Sequence, residues 1–261
     1  MIETKRKKFV ILLLFLVATA IILSVSVGAT EKGCSWYCVH RKDHKQPIVG
    51  SDISFIEDYN GCYIDKKHGD NVDEKVVYLT FDAGYENGNI EKVLDALREE
   101  NVQGAFFILG NLVEQNTALV KRMFEEGHLV CNHTYSHCSM INKSREEFEN
   151  ELNKLESICL EKTGYSMAKY YRPPKGEFDK TSIQYANDLG YKTVFWSFAY
   201  VDWDNNKQPS ISFAKDKILQ NVHNGEIMLL HPTSATNSEI IKDIIKELKF
   251  QGYRFGSLNE L

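Results

Sequence analysis

Short apolar, β-branched runs alternating with amphipathic helical stretches predict an α/β chain built on a parallel sheet, with a repeat number close to that of a closed barrel. Three observations carry this reading. The run Val77-Tyr78-Leu79-Thr80-Phe81 is apolar throughout and ends abruptly in Asp82-Ala83-Gly84, as a buried parallel strand does when it delivers an acid to the rim of a sheet. From Lys75 onward strand-like and helix-like periods take turns, with no hairpin signal between them. No internal repeat or low-complexity tract interrupts the pattern, and 261 residues suffice for one main domain with a sizeable core.

Taken in order, the chain opens with Lys5, Arg6, Lys7 and Lys8 before the uncharged run Phe9 to Ala29. At about 1.5 Å per residue that run can cross a hydrocarbon core of about 30 Å. The basic cluster should stay in the cytoplasm, which places everything after residue 30 outside it. Residues 1–29 are therefore expected to be a signal anchor or, with Val27-Gly28-Ala29 as a cleavage site, a signal peptide. Residues 30–74 mix Trp36, Tyr37, Tyr59 and Tyr63 with many polar residues and read as an extension packing on the main domain, 75–261.

Within that domain Ile90, Val93, Leu94 and Leu97 mark one face of a helix, and Gly104 to Leu109 a short buried strand. Leu119, Val120 and Phe124 suggest a helix ending near Gly127, before a strand at 128–130. Ser144 with Glu147 fits a capping box opening a long helix striped by Phe148, Leu152, Leu155 and Cys159. Further strands are expected at 170–172, 192–196 and 226–230, and helices at 179–189 and 212–222. Ile240, Ile241, Ile244, Ile245 and Leu248 give the last amphipathic helix, followed by Tyr253-Arg254-Phe255.

The formal net charge of -5 argues against a nucleic-acid partner, which would need a basic excess. The six cysteines contain no CxxC pair, so a structural zinc knot is not expected, and Cys34, Cys38 and Cys62 lie close enough for one disulfide of unspecified connectivity.

Chemistry-bearing residues gather where strands end. Asp82 stands at the first such end. His133 and His137 follow the next, and a helical turn would let both imidazoles face one way as ligands for zinc or a similar divalent ion. Arg172 precedes Pro173-Pro174-Lys175-Gly176, prolines that stiffen the loop and can hold the guanidinium on a carboxylate. Asp202-Trp203 and Leu230-His231 come last. A carboxylate beside His231 would favour the imidazolium and make it a proton donor.

The ordered set Thr80-Phe81-Asp82, His133-xxx-His137, Arg172-Pro173-Pro174, Asp202-Trp203 and Leu230-His231 resembles the five motifs of the NodB-type polysaccharide deacetylases, carbohydrate esterase family 4. The resemblance covers about residues 75–261 and implies a distorted (β/α) barrel of about seven strands and metal-dependent removal of acetyl from an N-acetylated sugar. A narrower likeness, in 80–88, 193–197 and 200–203, is to the delta-lactam-biosynthetic de-N-acetylases of spore-forming bacteria. It implies action on N-acetylmuramic acid in peptidoglycan strands, leading to the muramic delta-lactam of spore cortex.

By the same resemblance Asp82 is the general base, Arg172 its partner, His133 and His137 the metal ligands, and His231, oriented by Asp202, the acid. Where the family has a second Asp serving as metal ligand, this chain has Ala83, so a weakly held ion is expected. Tyr85, Tyr135, Trp196 and Trp203 could offer faces to a sugar, a main-chain N–H near Lys175 could meet the oxyanion, and Leu229 with Leu230 could wall an acetyl pocket. The alternatives are a deacetylase of GlcNAc in peptidoglycan or of chitooligosaccharides, and a membrane-tethered glycan-binding protein without catalysis.

Overall fold

The computed structural model describes residues 32–261, so the membrane segment expected at 9–29 lies outside the described residues. Among the described residues no helix is long and apolar enough to cross a membrane. Strand β1 (Cys34–Ser35) and a 3-10 turn (Ser54–Tyr59) precede the main sheet. That sheet holds β2 (Lys75–Ala83), β3 (Ala105–Ile108), β4 (Leu129–Asn132), β5 (Ala168–Tyr171), β7 (Lys192–Thr193), β8 (Glu226–Leu230) and β9 (Tyr253–Phe255). Its spatial order is β7-β5-β4-β3-β2-β8, with β9 paired to the start of β2, and every ladder is parallel.

Helices follow the strands: α1 (Ile90–Glu99), α2 (Gly110–Gln115), α3 (Thr117–Glu125), α4 (Arg145–Thr163), α5 (Lys180–Asp188), α6 (Ile211–Asn221) and α7 (Ala235–Phe250). The capping box predicted at Ser144 is formed, with its hydroxyl accepting from Glu147 N–H and the Glu147 carboxylate accepting from Ser144 N–H.

Strand alternation divides the core into two layers. Val77, Leu79, Phe81 and Ala83 of β2 face the helices and join α1 and α7 in one cluster, whereas Val76 and Tyr78 join Ala105, Phe107, Cys131, Val194 and Ile227 in the barrel interior. The same alternation assigns Thr80 and Asp82 to the interior side. Seven strands form a half-barrel, and an irregular segment links its two edges. Beyond Thr193, Val194 N–H donates to the Tyr171 carbonyl, Phe198 bridges to Met228, and Leu229 N–H donates to the Phe198 carbonyl.

Three expectations needed correction. The strand expected over 192–196 is regular only at 192–193, because the chain then bends from β5 toward β8. Helix α2, too short to show a period, was not anticipated from sequence. The chain also contains an antiparallel pair, β1 with β6 (Glu177–Phe178), outside the main sheet.

Residues 32–74 lie against the barrel through Trp36, Ile53, Ile56, Tyr63 and Ile64, which share a buried cluster with Phe178, Ile183 and Phe195. The Trp36 and Phe195 rings stack with centroids 4.4 Å apart. Below the strands Gln46 is buried, and its Nε2 donates to the carbonyls of Asp65, His68 and Asn224 at 2.8, 3.1 and 3.0 Å. One amide thus ties the early segment to the loop that starts β8. Replacing Gln46 with Met keeps the volume but leaves these carbonyls short of a donor, so it should cost about 1–3 kcal/mol of stability, read as a lower urea midpoint.

Candidate active site

Asp82 leaves β2 at the C-terminal end of the sheet, where β3, β4 and β5 also finish. Arg172 Nη1–H donates to Asp82 Oδ1 at 2.8 Å. The arginine is fully buried, so each face of its guanidinium needs a partner inside the protein. Nε donates to the Val194 carbonyl at 2.9 Å, and Nη2 to Thr80 Oγ1 at 2.9 Å and the Phe195 carbonyl at 3.4 Å. The Phe107 ring lies 4.1 Å below the guanidinium carbon. Burial pushes the Asp82 carboxyl up, but the charge of Arg172, followed by those of His133 and His231, outweighs burial and holds Asp82 below the usual carboxylate range.

His133 follows β4 directly. Its Nδ1 lies 2.8 Å from the Arg172 carbonyl, which assigns Nδ1 as the protonated nitrogen and leaves the Nε2 lone pair 3.5 Å from Asp82 Oδ2. Burial lowers His133 to about 4 against the raising influence of Asp82, so the ring is neutral at ordinary pH. His137 lies with its ring centroid 5.0 Å from that of His133, and burial lowers it too. The helical turn expected to present this pair is absent. Thr134 and His137 instead adopt left-handed conformations, with φ of 70° and 58°, in a loop pinned by the His137 N–H bond to Thr134 Oγ1 at 3.0 Å. Asn132 anchors the loop's start, its Oδ1 accepting from Thr134 N–H at 2.9 Å.

A second carboxylate is paired with an imidazole at the end of β8. His231 Nδ1 donates to Asp202 Oδ1 at 2.7 Å, and His231 N–H donates to Asp202 Oδ2 at 2.8 Å. Burial lowers the His231 pKa, but the bond to Asp202 and its charge win, so the imidazole titrates above its ordinary 6.5. Asp82 and Arg172 also act on this ring, which places His231 in the same electrostatic site. Asn237 and Tyr200 complete the dyad's surroundings. Tyr200 opens the 200–203 stretch already singled out, whereas Asn237 belongs to no motif, although the run Thr233, Ser234, Thr236, Asn237 and Ser238 is polar where helix α7 is buried.

The expected substrate contacts separate into two groups. Tyr85 and Trp203 are exposed, at 43% and 60%, and Asn205 donates to the Tyr85 hydroxyl, so the two loops meet beside the pocket. Lys175 is exposed and holds a left-handed φ of 59°. Tyr135 is engaged within the protein: its ring leaves no room for a Cβ at Gly110, the Lys154 ammonium sits 3.6 Å from its centroid, and its hydroxyl donates to Glu114. Leu230 belongs to the helix-facing cluster with Phe81, its register partner, so the pocket wall falls to Leu229 opposite Thr80. Trp196 lies 5.7 Å from the Arg172 guanidinium and against Gly176, which leaves its ring little free face.

For a divalent ion the donor set is two neutral imidazoles, with Asp82 alongside. Ala83 is buried in the helix-facing apolar layer and offers no donor. Among the described residues no group of three or more His, Cys, Asp or Glu is arranged to hold a metal. The His133 tautomer, fixed by a carbonyl on the far nitrogen, is the one a ligand needs, so the residues fit an open, two-histidine site that water must complete.

The polysaccharide deacetylase family model matches residues 69–194. The chain is 39% identical over 228 residues to the peptidoglycan-N-acetylmuramic acid deacetylase PdaA of Bacillus subtilis, covering 87% of this chain and 85% of that protein. It is also similar to the solved structure of Bacillus subtilis PdaA, a family 4 carbohydrate esterase, with a TM-score of 0.82 at 38% identity over 88% of this chain and 97% of that one. A family 4 pseudoenzyme from Bacillus anthracis, BA3943, shares the fold with a TM-score of 0.69 at 26% identity over 77% of this chain and 68% of that one.

Replacing Asp202 with Asn removes the charge that raises His231. The imidazole pKa should fall relative to the wild-type protein, read from the pH dependence of its Cε1 proton in NMR.

Proposed function

Because the chain belongs to the polysaccharide deacetylase family, carbohydrate esterase family 4, we propose that it hydrolyses the acetamide of N-acetylmuramic acid residues in peptidoglycan, releasing acetate and a free sugar amine. The observation that carries this reading is a carboxylate aimed by Arg172, Asp82, acting electrostatically on an imidazole, His231, that Asp202 holds and whose pKa Asp202 raises. The likeness to the Bacillus subtilis muramic acid deacetylase over most of both chains supports the choice of sugar.

Amide hydrolysis needs a base for the attacking water, a stabiliser for the oxyanion and an acid for the departing amine. Arg172 occupies Asp82 Oδ1, which leaves Oδ2, on the His133 side, to take the proton from water. Because the guanidinium also depresses the carboxylate's basicity, the water benefits from a second activator. A divalent ion at His133 and His137, zinc or a similar metal, would polarise water and carbonyl as a Lewis acid. A main-chain N–H near Lys175, where the backbone is left-handed, would meet the oxyanion. His231, carrying its transferable proton on Nε2 because Nδ1 is held by Asp202, protonates the sugar nitrogen as the C–N bond breaks. A neutral amine then leaves instead of its anion.

The same reading assigns Tyr85 and Trp203 as the exposed platform for the glycan strand. It also assigns the product to the muramic delta-lactam route of spore cortex, and the working domain to the outside of a membrane in which residues 9–29 are the anchor. The polar run 201–208, carrying Trp203 outward from Asp202, is consistent with a long, polar, polymeric substrate.

Residues 30–261 incubated with cortex-type glycan strands lacking stem peptides should release acetate, with mass loss confined to muramic acid residues. Acetate loss from glucosamine residues instead would establish the other peptidoglycan activity. Asp82→Asn keeps an oxygen for Arg172 but removes the base, so its turnover should fall about 100-fold or more. Trp203→Ala should raise KM about 3- to 10-fold while leaving kcat near the wild-type value.

A further inference from the structure

We propose that Asn237 is a positioning residue for the acid, its side-chain amide holding the Asp202 carboxylate and the His231 main chain in one fixed relation. This rests on the assignment of His231 as the proton donor given above. Asn237 is buried in the first turn of α7, where the Ser234 hydroxyl caps its main-chain N–H at 3.1 Å. Its Nδ2 spends one hydrogen on Asp202 Oδ2 at 2.6 Å and the other on the His231 carbonyl at 3.1 Å. The Tyr200 hydroxyl donates to Asn237 Oδ1.

These contacts fix which way the amide faces. Turned over, it would set its oxygen against a carboxylate and a carbonyl and its NH₂ against the Tyr200 hydroxyl. Asp202 accordingly receives three donors: the imidazole Nδ1–H on Oδ1, and His231 N–H and Asn237 Nδ2 on Oδ2. With Oδ2 held on two sides, the carboxylate cannot rotate about its Cβ–Cγ bond, and the plane of the imidazole is set by Oδ1. Asn237 therefore acts on the reaction through Asp202 without touching the pocket. An apolar or anionic side chain of the same size cannot substitute, because the position requires two donors and one acceptor at once.

A residue that merely stabilised the α7 turn would leave the imidazole's titration unchanged. The charges facing His231 are those of Asp202, Asp82 and Arg172, and His231 in turn acts on His137. Asn237→Ala removes a donor from Asp202 Oδ2 and frees the carboxylate to turn off the imidazole, so the His231 pKa should fall by about half a unit or more, read from its Cε1 proton in NMR. Asn237→Leu should lower kcat roughly tenfold with KM within about twofold of wild type. Should these variants not fold, Tyr200→Phe, which removes only the hydroxyl that orients the amide, should lower kcat in the same sense by a smaller factor. The proposal is overturned if the folded variants titrate and turn over like the wild type and differ only in melting temperature. If the wild type released no acetate, the deacetylase reading would fail, while the NMR titration would still decide whether Asn237 sets the Asp202–His231 pair.

Discussion

The structure depends on one constraint, that the Arg172 guanidinium is buried and must remain charged. A cation with no access to water needs a carboxylate and a full set of acceptors, and removing one partner of such a pair typically costs about 3–5 kcal/mol. Here the set comes from two places: Asp82 and Thr80 on β2, and the carbonyls of Val194 and Phe195 just past β7. Those carbonyls are available because the chain leaves regular strand geometry after Thr193. The irregular closure of the barrel and the orientation of the Asp82 carboxylate are thus one arrangement. Pro173 and Pro174 hold the loop from which Arg172 turns inward, and the Arg172 carbonyl fixes the His133 tautomer. One residue therefore sets both the base and the neighbouring imidazole.

The two carboxylate–cation pairs in the pocket are built to opposite ends. Arg172 cannot give up its proton, so its pair with Asp82 keeps the carboxylate ionised and able to accept one. His231 can, and the bond to Asp202 raises the pH at which it does.

The early segment, 32–74, contributes to the same set of contacts both beside Arg172 and beneath β8. Trp36 stacks on Phe195, the residue whose carbonyl accepts from Arg172, and the Trp36 indole N–H donates to the Trp196 carbonyl at 2.9 Å. Gln46 gathers three carbonyls beneath β8. Without these contacts the irregular linker at 194–198 would have an open outer face. Its packing explains why a polar segment with little periodicity of its own is ordered against the barrel.

The sequence by itself determined the parallel α/β alternation and the five stretches that bear the chemistry, because strand and helix periods and abrupt polar endings are local features. It singled out Asp82, His133, His137, Arg172, Asp202 and His231 by residue type and order. Only the tertiary structure decided how they act, since Arg172 meets Asp82 across 90 residues and Asp202 meets His231 across 29. A period of 3.6 could not reveal that His133 and His137 approach through left-handed loop residues instead of a helical turn. Nor could it tell Leu229 from Leu230, because which of two adjacent residues faces the interior depends on register with β2. Tyr135 and Trp203 look alike as aromatic neighbours of motifs, yet one ring is packed on Gly110 and the other is open to solvent. Asn237 carried no motif at all, because its meaning arises only where the first turn of α7 meets Asp202, and hydrogen-bond partners are chosen by the fold in three dimensions, not by neighbours in the chain.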